Sequence, residues 1–181
     1  MADKSHVREL AGILSKLQGK RWEGAIITRA KWQRRDNAEA SKVPEVLADC
    51  HGMVKIRCRG FGEELMVMLL CHHAISTADK ILAANREAEQ GEELFFPVET
   101  IRQYTAEVQD TNYLHQGDNP VVPGLLILER MLESCPAAVQ NISLRFSCAA
   151  YAGRMLVDWE QGKLYQQGRC TADFQWQQME G

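Results

Sequence analysis

One strongly apolar helical stretch, Gly124 to about Ser134, dominates the second half of this 181-residue chain, with Pro123 at its start and Pro136 just past its end. A helix with so much apolar surface must be covered, and the residues after it are strand-like. Ile142–Phe146, Arg154–Trp159, Leu164–Cys170 and Ala172–Trp176 are short runs of β-formers, with turn signals at Gly153 and Gln161-Gly162. A single apolar helix with an antiparallel meander behind it implies a sheet wrapped around that helix, an α+β architecture.

The length suits one well-cored domain and is short for two average ones. Ahead of the helix, Leu94–Val98 reads as a strand and Thr100–Val108 as a short helix. In the first half, Val7, Leu10, Leu14 and Leu17 mark an amphipathic helix over residues 5–18 that ends at Gly19. Gly24–Trp32 reads as a strand, and Gly52–Arg59 with Glu64–His72 as a hairpin about Gly60-Phe61-Gly62. Residues 34–49 give no clear signal. A second helix is expected from an N-cap at Ser76 or Thr77 to Gly91. The organisation is thus an N-terminal strand and helix extension over residues 1–92 and a second unit over 93–181. No clear repeat is visible, although paired strands in both halves fit a degenerate duplication.

The chemistry concentrates between Asp110 and Glu129. His115 is succeeded by a Pro-bounded turn, Pro120-Val121-Val122-Pro123, and Gly124 then opens the helix that carries Glu129. Backbone N–H groups at a helix N-terminus favour developing negative charge, so a carbonyl oxygen at Gly124 N–H would sit where an enolate is stabilised. Imidazole is the side chain whose ordinary titration lies nearest neutrality, which suits His115 to act as a base. On a helical wheel Glu129 lies between an apolar arc (Leu125, Leu128, Met131, Leu132) and a polar face (Arg130, Glu133), consistent with an acid or with a solvated boundary residue. Asp110 fits a catalytic carboxylate or an ordinary turn-forming Asp.

His115, Pro123-Gly124 and Glu129, nine and then five positions apart, resemble the pattern of the β-hydroxyacyl-acyl-carrier-protein dehydratases of fatty-acid synthesis. Gln116-Gly117-Asp118 replaces that family's Phe-Pro-Gly. A second resemblance overlaps it. Asp110-Thr-Asn112-Tyr-Leu-His115, preceded by Tyr104, looks like the motif of R-specific enoyl-CoA hydratases, with Tyr113 in place of proline. Both resemblances imply a hot-dog fold, an antiparallel sheet wrapped around a long central helix, here with an additional α/β N-terminal half that could be a degenerate hot-dog half. They imply interconversion of (R)-3-hydroxyacyl and trans-2-enoyl thioesters without metal or redox cofactor. His115 is then the base and Gly124 the oxyanion donor. The dehydratases imply Glu129, reaching across a dimer interface, as the acid; the hydratases imply Asp110 on the same protomer. Pro123, Leu125, Leu128 and Leu132 would line the acyl tunnel. A thioesterase and a non-catalytic acyl-binding module are the alternatives, since one fold hosts all three.

The implied partners are an acyl thioester on acyl-carrier protein or coenzyme A, and a second copy of the chain in a homodimer or higher homo-oligomer. The formal net charge of −3 gives no global reason to expect nucleic-acid or membrane binding. No apolar run approaches the roughly 20 residues that span a bilayer. The N-terminus lacks the apolar segment of a signal peptide, and six cysteines occur without a CxxC pair, so a cytoplasmic protein with free thiols is expected. Cys50-His51 and Cys71-His72-His73 have poor spacing for zinc, and no metal site is expected. Lys16, Lys20, Arg21, Arg29, Lys31, Arg34 and Arg35, with Trp22 and Trp32 among them, form a basic stretch that suits either a solvated face or a dock for an acidic carrier or for phosphates.

Overall fold

The structure, a computed structural model, describes residues 5–35, 39–71 and 91–179. The helix expected between Ser76 and Gly91 falls almost wholly outside these residues, as do His72 and His73. The chain runs α1 (Val7–Leu14), β1 (Ile26–Arg34), β2 (Glu45–Cys50), β3 (Met53–Gly60), β4 (Glu63–Leu70), β5 (Glu92–Phe96), α2 (Val98–Val108), a 3-10 turn (Tyr113–His115), α3 (Gly124–Ser134), β6 (Val139–Phe146), β7 (Gly153–Asp158), β8 (Lys163–Gln166) and β9 (Arg169–Gln178).

Among the described residues the strands form one nine-stranded sheet, ordered β2-β3-β4-β1-β6-β9-β8-β7-β5. Every neighbouring pair is antiparallel. The halves meet at the seam between β1 and β6, where Ala30 lies opposite Leu144 and Trp32 opposite Ile142. From that seam the order is β1-β4-β3-β2 on one side and β6-β9-β8-β7 on the other. A helix precedes the seam strand in each half, α1 before β1 and α3 before β6.

Tight turns set the strand register. The turn residues of the β2–β3, β3–β4 and β8–β9 hairpins are His51-Gly52, Phe61-Gly62 and Gln167-Gly168, and all six have positive φ. This is the backbone twist that two-residue hairpins require, and glycine adopts it without steric cost. The third pair corrects the expectation of one strand over Leu164–Cys170: the chain reverses at Gln167-Gly168, giving β8 and β9. Gln-Gly is a weaker turn signal than Asn-Gly, and it lies inside a run of β-formers. His51 is accounted for by its place in a turn.

Alternate residues of the central strands point inward, among them Ala30 and Trp32, Val54, Ile56 and Cys58, Leu65 and Val67, and Ile142 and Leu144. Burial in this core pushes the Cys58 thiol up to about 12. The helices pack over this face, with α1 touching α2, α3 and β3. α3 is 11 residues, three turns, and buries Leu125 to Glu129 and Met131. It therefore has no solvated boundary at Glu129, which is 6% exposed. α1 is anchored by a buried carboxylate: Glu63 accepts the backbone N–H of His6 at 2.9 and 3.1 Å and the Trp32 indole N–H at 2.8 Å. Negative charge at that helix N-terminus also suits the helix dipole.

Candidate active site

Local hydrogen bonding aims Asp110 and His115 at each other. α2 ends at Gln109 in the left-handed conformation, and Asp110 N–H donates back to Thr105 O at 2.9 Å. Asp110 Oδ1 then accepts from Asn112 N–H at 2.9 Å, a local turn that leaves Oδ2 free. Asn112 caps the 3-10 turn by accepting from Leu114 N–H at 3.2 Å and donates from Nδ2 to Ala25 O at 2.8 Å, which pins the loop to the N-terminal half. Tyr113 lies against Gly24 on the same side. At the end of this turn His115 Nε2 stands 3.6 Å from Asp110 Oδ2, the side chains 12% and 27% exposed.

His115 Nδ1 lies 2.7 Å from Val121 O. A carbonyl oxygen only accepts, so Nδ1 carries the proton and the lone pair of a neutral ring sits on Nε2, facing Asp110. Two acceptors that face each other at 3.6 Å do not bond directly. They can share a molecule that donates two hydrogens, such as water or the hydroxyl and α-carbon of a 3-hydroxyacyl group.

Both side chains border a cavity of about 670 Å³. One wall comes from the second half: Tyr104, Val108, Asp110, His115, Pro123, Gly124, Leu125, Ile127 and Phe146. The other comes from the first half, with Leu14, Leu17, Trp22, Ile27 and Leu69 among its apolar residues. Gly124 is the first residue of α3, and the first intrahelical bond runs from Leu126 N–H to Pro123 O at 3.0 Å, so Gly124 and Leu125 N–H precede the helical ladder. A Cβ at Gly124 would come within 3.2 Å of two Phe146 ring carbons. Glycine keeps this point of the wall open.

Tyr104, 2% exposed, also lines the cavity, and its hydroxyl has no hydrogen-bond partner among the described residues. Burial, with the Glu129 and Asp110 carboxylates adding, holds the phenol well above its ordinary pKa, so it is a neutral donor that needs an acceptor.

The remaining expected site residues lie elsewhere. Glu129 does not line the cavity. It is bound by Arg8 of α1, with Nε at 3.0 and 3.2 Å and the other guanidinium nitrogen at 2.9 Å, and Arg8 also bonds Glu107 of α2 and lies over the Tyr104 ring. Burial raises the Glu129 carboxyl above its ordinary pKa, and Arg8 partly offsets this. Leu128 is fully buried in the core, and Leu132 packs partly buried against it. Neither reaches the cavity, which touches only the first turn of α3. Cys50 Sγ lies 2.9 Å from His51 Nδ1, and among the described residues no group of three or more His, Cys, Asp or Glu is arranged to hold a metal. Among the same residues no helix is long and apolar enough to cross a membrane.

No protein-family model and no curated protein matches the sequence. Solved structures do. HtdX from Mycobacterium tuberculosis superimposes with a TM-score of 0.56 at 15% identity, over 95% of this chain and 84% of that one. The chain has a hot-dog fold. The full-length peroxisomal multifunctional enzyme type 2 from Drosophila melanogaster matches with a TM-score of 0.50 at 13% identity, over 82% of this chain. This hot-dog chain spans 36% of the length of the Drosophila protein.

Proposed function

We propose that the protein is a hydratase/dehydratase that interconverts (R)-3-hydroxyacyl and trans-2-enoyl thioesters, with Asp110 and His115 of one protomer as the acid/base pair. The observation that carries this reading is the His115 ring, its tautomer set by Val121 O and its Nε2 lone pair facing Asp110 Oδ2 at the cavity wall. In the dehydration direction His115 Nε2 takes the proton from C2, and the thioester carbonyl gathers charge at the N-terminus of α3, where Gly124 N–H donates to it. The imidazolium is stabilised by the Asp110 carboxylate beside it. Asp110 Oδ2 meanwhile accepts the hydrogen of the 3-hydroxyl and holds the leaving group. The C3–O bond breaks as the enolate collapses, the Nε2 proton passes to the departing hydroxyl, and water leaves with both side chains back in their starting states. Hydration is the reverse, with water donating one hydrogen to each acceptor.

The cavity supports the acyl part of the reading, because its walls away from the pair are mainly apolar. In this reading Pro123 and Leu125, which line the cavity, contact the acyl group together with Ile27 and Trp22 from the first half, and Gly124 is the oxyanion donor. Glu129, engaged by Arg8, is assigned here to holding α1, α2 and α3 together.

The test is hydration of crotonyl-CoA, monitored by loss of enoyl-thioester absorbance and, in parallel, by release of thiol. Absorbance loss without thiol that disappears in His115→Ala is the expected result. Thiol release would indicate a thioesterase, and thioester binding with no turnover, unchanged in His115→Ala, a binding module.

A further inference from the structure

The fold sorts the basic stretch of the first half. Lys16 Nζ donates to Lys42 O, Arg21 bonds Asp49, and Arg35 lies 3.7 Å from Glu64. Arg29 has no such partner among the described residues. The residue directly across the seam from it on β6 is Arg145. Both are exposed, and since Ala30 and Leu144 point into the core, both side chains stand on the outer face of the sheet.

The register extends this pair into a row across six strands: Lys55 on β3, Met68 on β4, Arg29, Arg145, Asp173 on β9 and Lys163 on β8. Asp173, the only carboxylate in the row, is held by Lys163 at 2.8 Å. Lys55, Arg29 and Arg145 have no carboxylate within ion-pair distance among the described residues. Like charges directly opposite on neighbouring strands are destabilising, so this arrangement opposes the fold unless an anion occupies it.

The two arginines of the row stand one and two residues from positions that line the acyl cavity. Thr28, next to Arg29, lines the cavity at a β-bulge in β1, and Ser147, exposed just past the end of β6, lines it two residues from Arg145. Two strand residues span about 7 Å. Thioester carriers extend from the reacting carbonyl through a pantetheine arm, and in coenzyme A that arm ends in a phosphorylated ADP. We propose that Arg29 and Arg145, with Lys55 beside them, bind the phosphates of coenzyme A, so that the substrate is an acyl-CoA. This inference rests on the acyl-thioester reading above.

The experiment titrates coenzyme A calorimetrically into the full chain as wild type, Arg29→Ala and Arg145→Ala, and compares crotonyl-CoA with S-crotonyl-pantetheine as substrates. The expected result is a roughly three- to five-fold weaker Kd in each variant, the weakening shrinking at high salt. KM for crotonyl-CoA rises with kcat unchanged, while KM for the pantetheine thioester does not move. Thermal midpoints hold or rise, because a repulsion is relieved. Coenzyme A affinity unchanged in both variants overturns the proposal, as does equal KM for the two thioesters in wild type. A rise in KM confined to a crotonyl thioester on acyl-carrier protein also overturns it. Weakened coenzyme A binding in variants of a protein that turns nothing over supports the phosphate site and overturns the hydratase reading alone.

Discussion

Replacing Asp110 by Asn is the sharpest perturbation of the proposed chemistry, because it changes one atom of the pair and little of the loop. Asn can still accept from Asn112 N–H through its oxygen, so the turn at the end of α2 is preserved and stability should change by less than about 1 kcal/mol. The atom facing His115 Nε2 becomes an amide nitrogen, which donates to the lone pair that should act as base and no longer accepts from the substrate. The magnitude comes from the separation. An imidazolium and a carboxylate 3.6 Å apart attract by about 4.6 kcal/mol at an effective dielectric near 20, and by about half that if the partial exposure of Asp110 doubles the dielectric. Losing that attraction in the transition state corresponds to a fall in kcat of roughly 50- to 2,500-fold, which overlaps the range of about 10²–10⁴ typical of positioned acid/base groups. The assay is crotonyl-CoA hydration with Asp110→Asn and Glu129→Gln side by side, each checked by circular dichroism and thermal melting. Asp110→Asn should collapse kcat, and Glu129→Gln should leave it within a few-fold. A folded Asp110→Asn that keeps more than a tenth of wild-type kcat, beside a Glu129→Gln that loses a hundred-fold, would refute the assignment and return the acid to α3.

Three further substitutions probe the surroundings of the pair. Tyr104→Phe removes a buried hydroxyl that has no partner among the described residues, so the thermal midpoint should rise while KM for the thioester increases roughly ten-fold; a lower midpoint would mean that the hydroxyl is already bonded in the free protein. Gly124→Ala places a methyl 3.2 Å from the Phe146 ring, which must tilt by a few tenths of an ångström; the N–H is kept but the approach to it narrows, so kcat/KM should fall about 10²-fold with the fold intact, and a fully active alanine variant would argue against close approach of the thioester at this point of the wall. For Glu129, burial makes the folded chain hold the carboxyl proton more tightly than the unfolded chain, so its contribution to stability is present at low pH. That contribution is lost as pH rises from the ordinary carboxylate range through the raised folded value. Glu129→Gln should remove this part of the slope from denaturant midpoints measured across that range, and an unchanged slope would contradict it.

Short-range pattern controls the parts of the molecule that were legible in the sequence. The apolar period of α3, the Gly60-Phe61-Gly62 hairpin and the polar turn from Asp110 to His115 are all written within a dozen residues, and each forms close to where the pattern puts it. Asp110 and His115 meet because a local turn and a 3-10 turn bring them together. Glu129 has no such local determinant: the wheel puts it on a boundary, but its partner Arg8 comes from a helix 121 positions away. Leu128 and Leu132 share a face with Leu125, yet only the first turn of α3 meets the cavity, a fact of three-dimensional placement that periodicity does not carry. The seam between β1 and β6, which sets Trp22 and Ile27 beside the motif and Arg29 against Arg145, has no local signal at all.

The two helix N-termini that precede the seam strands differ in what stands at each of them. Both sides of the seam share one order, a helix and then four strands running outward. In the second half the N-terminus of α3 opens onto the cavity through glycine, with its leading N–H groups ahead of the helical ladder. In the first half the corresponding end of α1 is already occupied, because Glu63 accepts the N–H of His6 from below and is itself fixed by Trp32. A carboxylate at that point excludes an oxyanion, since two negative groups would share one set of donors. One end therefore opens onto the cavity and the other is closed by the fold's own carboxylate. The first half still supplies one wall of the cavity that Asp110 and His115 border, so a single chain carries residues of both walls.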